Sequence, residues 1–308
     1  MTNSIIKSLC VSLVVVLGST VAVSAADNQL TFATPDDAIA ALSAAARLDN
    51  TAELEKILGH AGHPLIFSGD LIADKQGREK FAADYDQKHA IEPVSDTKAI
   101  VTITSDDWPF PIPLVKQGSV WHFDTKAGRE EILNRRIGRN ELNALQVCAA
   151  IVDAQHDYSS EDHTGKGYME YAQKFLSSPG KRDGLYWPPT TGGIASPIGP
   201  LVVSARAEGY GKKGEAGPPT PYHGYFYRIL TQQGKNAKGG ARDYVVNGHM
   251  IGGFALVAFP ALYGDSGVMT FVVNQTGVIY EKNLGPNTPL IAREMTQFNP
   301  DSSWTAHQ

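Results

Sequence analysis

The chain has 308 residues, 42% of them hydrophobic and 9% aromatic, which is enough apolar matter to bury a core and excludes a disordered or collagen-like chain. Its 32 Asp and Glu against 27 Lys and Arg leave a formal net charge of −5, and no run of basic residues supplies the cationic face that nucleic acid requires. The 30 Gly and 18 Pro point to many turns and away from a plain helix bundle, and the length suggests about two domains.

Lys7 precedes an apolar run over residues 9–17, and Val23-Ser24-Ala25 places small residues at the two positions a signal peptidase reads. Residues 1–25 are therefore expected to be a secretory signal peptide. The run is too short and too interrupted to cross roughly 30 Å of hydrocarbon, and no later segment is long enough. The expected setting is periplasmic or secreted, with no stable membrane span after cleavage. Cys148 is then the one cysteine left, so no intramolecular disulfide forms. Its apolar neighbours recur at helical spacing and predict a buried, inert thiol.

Thr34-Pro35-Asp36-Asp37 reads as a helix start, with a capping hydroxyl, proline at the first helical position and acids at the positive end. That helix runs to about Arg47. Asp49 and Asn50 cap a second over Thr51–Leu58, and Phe81, Ala82 and Tyr85 suggest a third over residues 77–91. Residues 99–104 alternate like a strand. Residues 110–115 and 120–123 flank a hairpin turn, with prolines at 109, 111 and 113 marking the first of that pair as an edge. A helix over residues 129–137 closes an N-terminal module of residues 27–138, and the boundary falls near Gly138 to Asn140. In the second module, residues 139–308, a long helix over 141–158 leads into a loop-rich stretch, 159–221. Strands follow at 222–230, 243–246, 253–260, 268–273 and 278–280, the last pair joined by Asn274-Gln275-Thr276-Gly277. The expected class is α+β: N-terminal helices with a curved antiparallel sheet, then a long helix packed on a second antiparallel sheet.

The stretches Asp107-Trp108-Pro109-Phe110-Pro111-Ile112-Pro113, Trp121-His122-Phe123-Asp124, Arg135-Arg136-Ile137-Gly138-Arg139-Asn140-Glu141 and Lys181-Arg182-Asp183-Gly184-Leu185-Tyr186-Trp187 stand together in one chain. With Pro221-Tyr222-His223-Gly224-Tyr225 and Gly252-Gly253-Phe254-Ala255, they resemble a bacterial secreted family, domain of unknown function 2950, over nearly the whole mature chain. The resemblance implies a Gram-negative periplasmic or secreted setting and brings no catalytic residues with it. The second module is also similar, more loosely, to pseudopilin globular domains, in its long helix, loop and closing sheet. A pilin helix normally continues from a membrane-inserted N-terminus, whereas a whole module precedes this one.

Gly264-Asp265-Ser266-Gly267 spells the surroundings of a trypsin-like serine, but it lacks the further Gly and a recognisable His and Asp, and it is good turn chemistry before a strand. No catalytic residue is assigned. Asp153, His156, Asp157, Glu161, Asp162, His163 and Glu170 are the densest set of potential ligands and the candidate site for a divalent cation, set against a solvated polar helix end. His60 and His63 have zinc-compatible types with no third ligand at usable spacing. Arg135, Arg136 and Arg139 present guanidinium forks to an anion or pair with nearby acids. Trp187, Tyr222, His223, Tyr225 and Tyr227 line a ligand groove or a core. The expected function is a non-catalytic binding or assembly module whose partner is a protein or small molecule of the envelope. The alternatives are a secreted hydrolase and an envelope metal-binding protein.

Overall fold

The computed structural model describes residues 29–103, 108–190, 193–211 and 220–307. The expected signal peptide and Thr104 lie outside them.

Helix α1 (Pro35–Arg47) begins where the Thr34 hydroxyl accepts the Asp37 N–H, with Pro35 in its first turn. Helix α2 (Thr51–Leu58) is capped by the Asn50 side chain, which accepts the Glu53 N–H. A single 3-10 turn, His60–Gly62, leads to the short α3 (His63–Ile66) and then to α4 (Leu71–Gln87). The helix expected at 77–91 therefore starts earlier and stops sooner. Asp70 caps its true start by accepting the Ala73 N–H. Beyond Gln87 the chain enters β1 (His89–Ser95), where the ladder to β2 (Lys98–Ile103) overrides the helical spacing.

The first sheet continues through β3 (Trp108–Pro109), β4 (Leu114–Gln117) and β5 (Val120–Phe123), in the order β1-β2-β4-β5 with β3 also paired to β2. The expectation that the first hairpin strand is an edge is corrected. Leu114 pairs with both Ala99 and Phe123, and Pro111 and Pro113 precede the strand instead of interrupting its ladder. Ile39, Leu42, Ile57, Val101, Leu114 and Phe123 belong to the core under this sheet.

Helix α5 (Thr125–Ser159) spans 35 residues and is capped by Asp124. The helices expected at 129–137 and 141–158 are one element, so Gly138 interrupts nothing. An interior glycine costs a helix only about 1 kcal/mol, and α5 is held at both ends. Ile132 packs on the first core, whereas Ala144, Val147, Cys148, Ile151 and Tyr158 belong to a second. At Gly128 the approach is so close that a Cβ would strike the Pro111 backbone.

The stretch expected to be loop-rich contains α6 (Gly199–Ala207), opened by Pro200. The second sheet starts with β6 (Tyr225–Leu230), which the short β7 (Gln232–Gln233), β8 (Arg242–Asp243), β9 (Val245–Val246) and β10 (His249–Met250) follow. Then come β11 (Ala255–Pro260), β12 (Met269–Asn274), β13 (Ile279–Asn283), α7 (Thr288–Glu294), β14 (Gln297–Phe298) and β15 (Thr305–Ala306). The order is β15-β13-β12-β11-β6, antiparallel throughout. Every residue of β11 is buried, and both α5 and α7 pack on it. The fold is α+β, with two apolar clusters that share no residue. Among the described residues no helix is long and apolar enough to cross a membrane.

Candidate functional site

Residues 135, 136, 139, 140 and 143 of α5 recur at helical spacing and share one face. That face lines a cleft of about 550 Å³, with α4 contributing Asp74, Gly77, Arg78 and Phe81 and the second half contributing Glu208, Tyr210 and His223. The site therefore forms where the two halves meet.

Arg136 is turned onto the end of α3: its two terminal nitrogens donate to the Pro64 and Leu65 carbonyls at 2.6 Å each. Burial pushes its guanidinium pKa down, while the negative charge of Asp74 acts in the opposite sense. Arg135 donates to Glu131 at 2.6 Å. Arg139 is exposed and makes no hydrogen bond or ion pair among the described residues. Arg78 bonds Asp49 at 2.7 Å and the Ile66 carbonyl at 3.0 Å. Asp74 is buried and accepts both the Ser68 hydroxyl, at 2.6 Å, and the Ser68 N–H, at 2.9 Å. Its burial raises the carboxyl pKa, and the Ser68 bonds and nearby Arg136 and Arg78 only partly offset that.

Asp70 joins the halves. One carboxylate oxygen caps α4, and the other accepts the Tyr210 hydroxyl at 2.8 Å and the Gly224 N–H at 2.9 Å. Burial, and then the negative charge of Asp70, push the Tyr210 phenol pKa up. Gln76 of α4 donates to the Glu208 carbonyl at 2.5 Å. His223 has a left-handed backbone, φ 51°, in the turn that pairs Tyr222 with Tyr225. Its Nε2 lies 2.5 Å from a Glu208 carboxylate oxygen, and its Nδ1 is buried without a hydrogen-bond partner among the described residues. Asn140 donates to the Ser266 carbonyl, and one oxygen of Glu141 accepts the Val268 and Met269 N–H groups, all at 2.9 Å. These bonds fix the middle of α5 to the second sheet.

Of the expected ligand residues, Arg135, Arg136, Arg139 and His223 meet in the cleft. Tyr222 stands beside it, its ring 4.9 Å from that of Tyr210. Trp187, Tyr225 and Tyr227 do not join them: of the two alternatives, groove or core, they take the core. Tyr225 is fully buried and donates to the Met269 carbonyl at 2.9 Å, and Trp187 is buried and donates to the Ile194 carbonyl at 2.9 Å. Tyr227 packs on the same core, because alternation along β6 places it on the face of Tyr225.

The candidate cation ligands are not brought together either. The Asp162 carboxylate is taken up by the N–H groups of residues 164–167, at 2.7 to 3.3 Å. The Gly167 N–H above all holds its pKa below the usual carboxylate range. Glu170 pairs with His249 at 3.0 Å and His156 with the Gln275 carbonyl at 3.2 Å, while Asp153, Asp157 and Glu161 point to solvent. Among the described residues no three His, Cys, Asp or Glu side chains are placed to hold one ion. His63 pairs with Glu55 at 2.7 Å. Ser266 is wholly buried, and its hydroxyl both donates to the Leu262 carbonyl and accepts the Leu262 N–H. The motif is thus a turn before β12.

Sequence reasoning missed Asp70, Asp74, Arg78, Glu208 and Tyr210. Placing the start of α4 at an Asp cap would have found Asp70. Glu208 and Tyr210 carry no local signal, since their partners are distant in sequence. Comparisons with curated proteins and with solved structures gave no match. A family model described as a protein of unknown function, DUF2950, matches residues 29–306. The chain belongs to the DUF2950 family.

Proposed function

We propose that the protein is a non-catalytic binding module of the periplasm or the secreted medium, and that it takes its ligand into the cleft between α4 and α5. The observation that carries this reading is the gathering of Arg78, Arg135, Arg136 and Arg139 around a space of about 550 Å³ in a chain of net charge −5. Small-molecule sites are commonly ~300–1,000 Å³ and combine apolar walls with a few placed polar groups. The signal-like residues 1–25 support the setting.

Thermal unfolding of the mature chain is measured with acetate, succinate, inorganic phosphate, a short acidic peptide, dodecanoate and neutral sugars. At least one anion is expected to raise the melting temperature, and Gly77→Trp, which fills the cleft, is expected to remove that rise. A rise that survives Gly77→Trp overturns the assignment of the site, and so does no rise with any probe. Turnover of ester, peptide or glycoside substrates overturns the non-catalytic reading. The exported protein is expected to begin at Ala26, and retention of residues 1–25 in the cytoplasm overturns the setting.

A further inference from the structure

The cleft has two chemically different parts. Its charged lining consists of Arg78, Lys80, Arg135, Arg136 and Arg139 against Asp74 and Glu208, and Arg78, Lys80 and Arg135 are further paired with Asp49, Asp84 and Glu131 at its edge, which leaves the excess positive charge on Arg136 and Arg139. Asp74 is occupied by Ser68, and Glu208 by His223. Arg139 has no such partner among the described residues. Much of the remaining lining is apolar, interspersed with the polar Ser68, Gln76, Asn140, Asn143 and Tyr210. Leu65, Phe81, Phe110 and Ile132 are only half-buried, and below them lie Leu42 and Ile112, which are fully buried.

Helix α4 shows the same incompleteness from the other side. Of its 17 residues only Asp74 and Ala82 are buried. A helix normally covers a continuous apolar stripe, yet here Phe81 borders open space. A Cβ built on Gly77, one turn earlier and also on the cleft, meets nothing within 4 Å.

We infer that the cleft takes a single-chain amphiphilic anion, with its acidic head against Arg139 and Arg135 and its hydrocarbon tail along Phe81, Phe110 and Ile132. This rests on the reading of the cleft as the binding site and adds the class of ligand. A head of one negative charge suits the cationic rim, since guanidinium groups bind carboxylate and phosphate through paired, charge-assisted bonds. The tail replaces water against side chains that the protein leaves half-covered, where burial of apolar area drives association. Fatty carboxylates and alkyl phosphates share this chemistry.

The test is isothermal titration calorimetry of the mature chain with dodecanoate, dodecyl phosphate, dodecyltrimethylammonium and acetate, each below its micellar concentration. One or both of the anionic amphiphiles are expected to bind at least tenfold more tightly than acetate or the cationic amphiphile. Binding by both means that the site reads charge alone, and binding by one names the head group. Arg139→Ala is expected to weaken dodecanoate or dodecyl phosphate about tenfold, the equivalent of one charge-assisted bond, and Arg139→Glu more. Gly77→Trp is expected to abolish the heat, with the circular dichroism of the folded chain retained. Should that variant not fold, Arg139→Glu carries the test.

Acetate binding as tightly as dodecanoate, with Gly77→Trp blocking both, overturns the amphiphile and leaves the cleft as the site. Equal binding of the cationic amphiphile overturns the role of the arginines. Dodecanoate binding that ignores both Gly77→Trp and Arg139→Glu overturns the inference and the site together. Absence of heat with both anionic amphiphiles overturns the inference, while the thermal panel decides the cleft separately.

Discussion

Replacing Asp70 with alanine removes three bonds from one buried carboxylate: the cap on the Ala73 N–H, the Tyr210 hydroxyl and the Gly224 N–H. Losing an N-cap costs about 1 kcal/mol. Each bond to a charged group is worth ~1.5–3 kcal/mol, and the variant also leaves a buried hydroxyl and a buried amide unsatisfied. The three are neighbours and do not add in full, so the expected loss is about 3–5 kcal/mol, a large part of the ~5–15 kcal/mol that holds most proteins folded. Urea unfolding followed by circular dichroism should show an earlier midpoint at unchanged slope. Tyr210→Phe alone should cost about 1–2 kcal/mol, but in the Asp70→Ala background it should cost under about 0.5 kcal/mol, because its acceptor is already gone. A loss under about 1 kcal/mol for Asp70→Ala, or single effects that simply add, would refute the view that this carboxylate joins the halves.

Cys148 is fully buried and its thiol pKa is pushed up to about 12 by desolvation; Cys148→Ser should fold but lose about 1–3 kcal/mol, and labelling of the native thiol within minutes would contradict the burial. Gly77 sits mid-helix with room for a side chain, so Gly77→Ala should stabilise the protein by about 0.5–1 kcal/mol, and a lower melting temperature would show that the space is not open. Partial burial pushes the Asp183 carboxyl up, but hydrogen bonds from Lys174 and Ser178 outweigh it and hold the pKa at about 2, below the 3.8 of a free carboxyl. A carboxyl held low stabilises the fold above its unfolded pKa and loses that effect as pH falls through the folded value. Asp183→Asn should therefore flatten the acid limb of the stability curve between about pH 4 and pH 2, and an unchanged limb would remove Asp183 from it. A chain starting at Arg139 keeps the whole second apolar cluster and is expected to melt cooperatively; recovery only as aggregates would mean that the halves need each other to fold.

Much of the fold follows from local chemistry. Thr34-Pro35 and Asn50 made the first two helix starts legible because each cap is satisfied within three residues. The turn at 274–277 was equally local, with Asn274 accepting the Thr276 N–H. Where partners are distant, the reading failed. Nothing around residues 199–207 distinguishes α6 from its glycine- and proline-rich neighbours, and Gly138 looked like a stop because the contacts that carry the helix through it come from two different cores. The arginine group was legible because Arg135, Arg136 and Arg139 fall close together in sequence. The cleft it lines was not, since its other wall begins at Asp70 and its end is closed by Tyr210 and His223. Tyr225 and Tyr227 have residue types that suit a groove or a core equally, and the packing of β6 on the second cluster decides for the core.

Helix α5 sets a mechanical limit on the molecule. At 1.5 Å per residue it is a rod of roughly 50 Å, with one end seated in the first core and the other in the second. Swinging one half against the other, as clamshell receptors do, would require breaking the hydrogen bonds of a helix with no proline in it. The arginine wall of the cleft is therefore the stationary jaw. Any change of aperture falls to the opposing wall, α4, which is secured at its start by Asp70 and only thinly seated along its length.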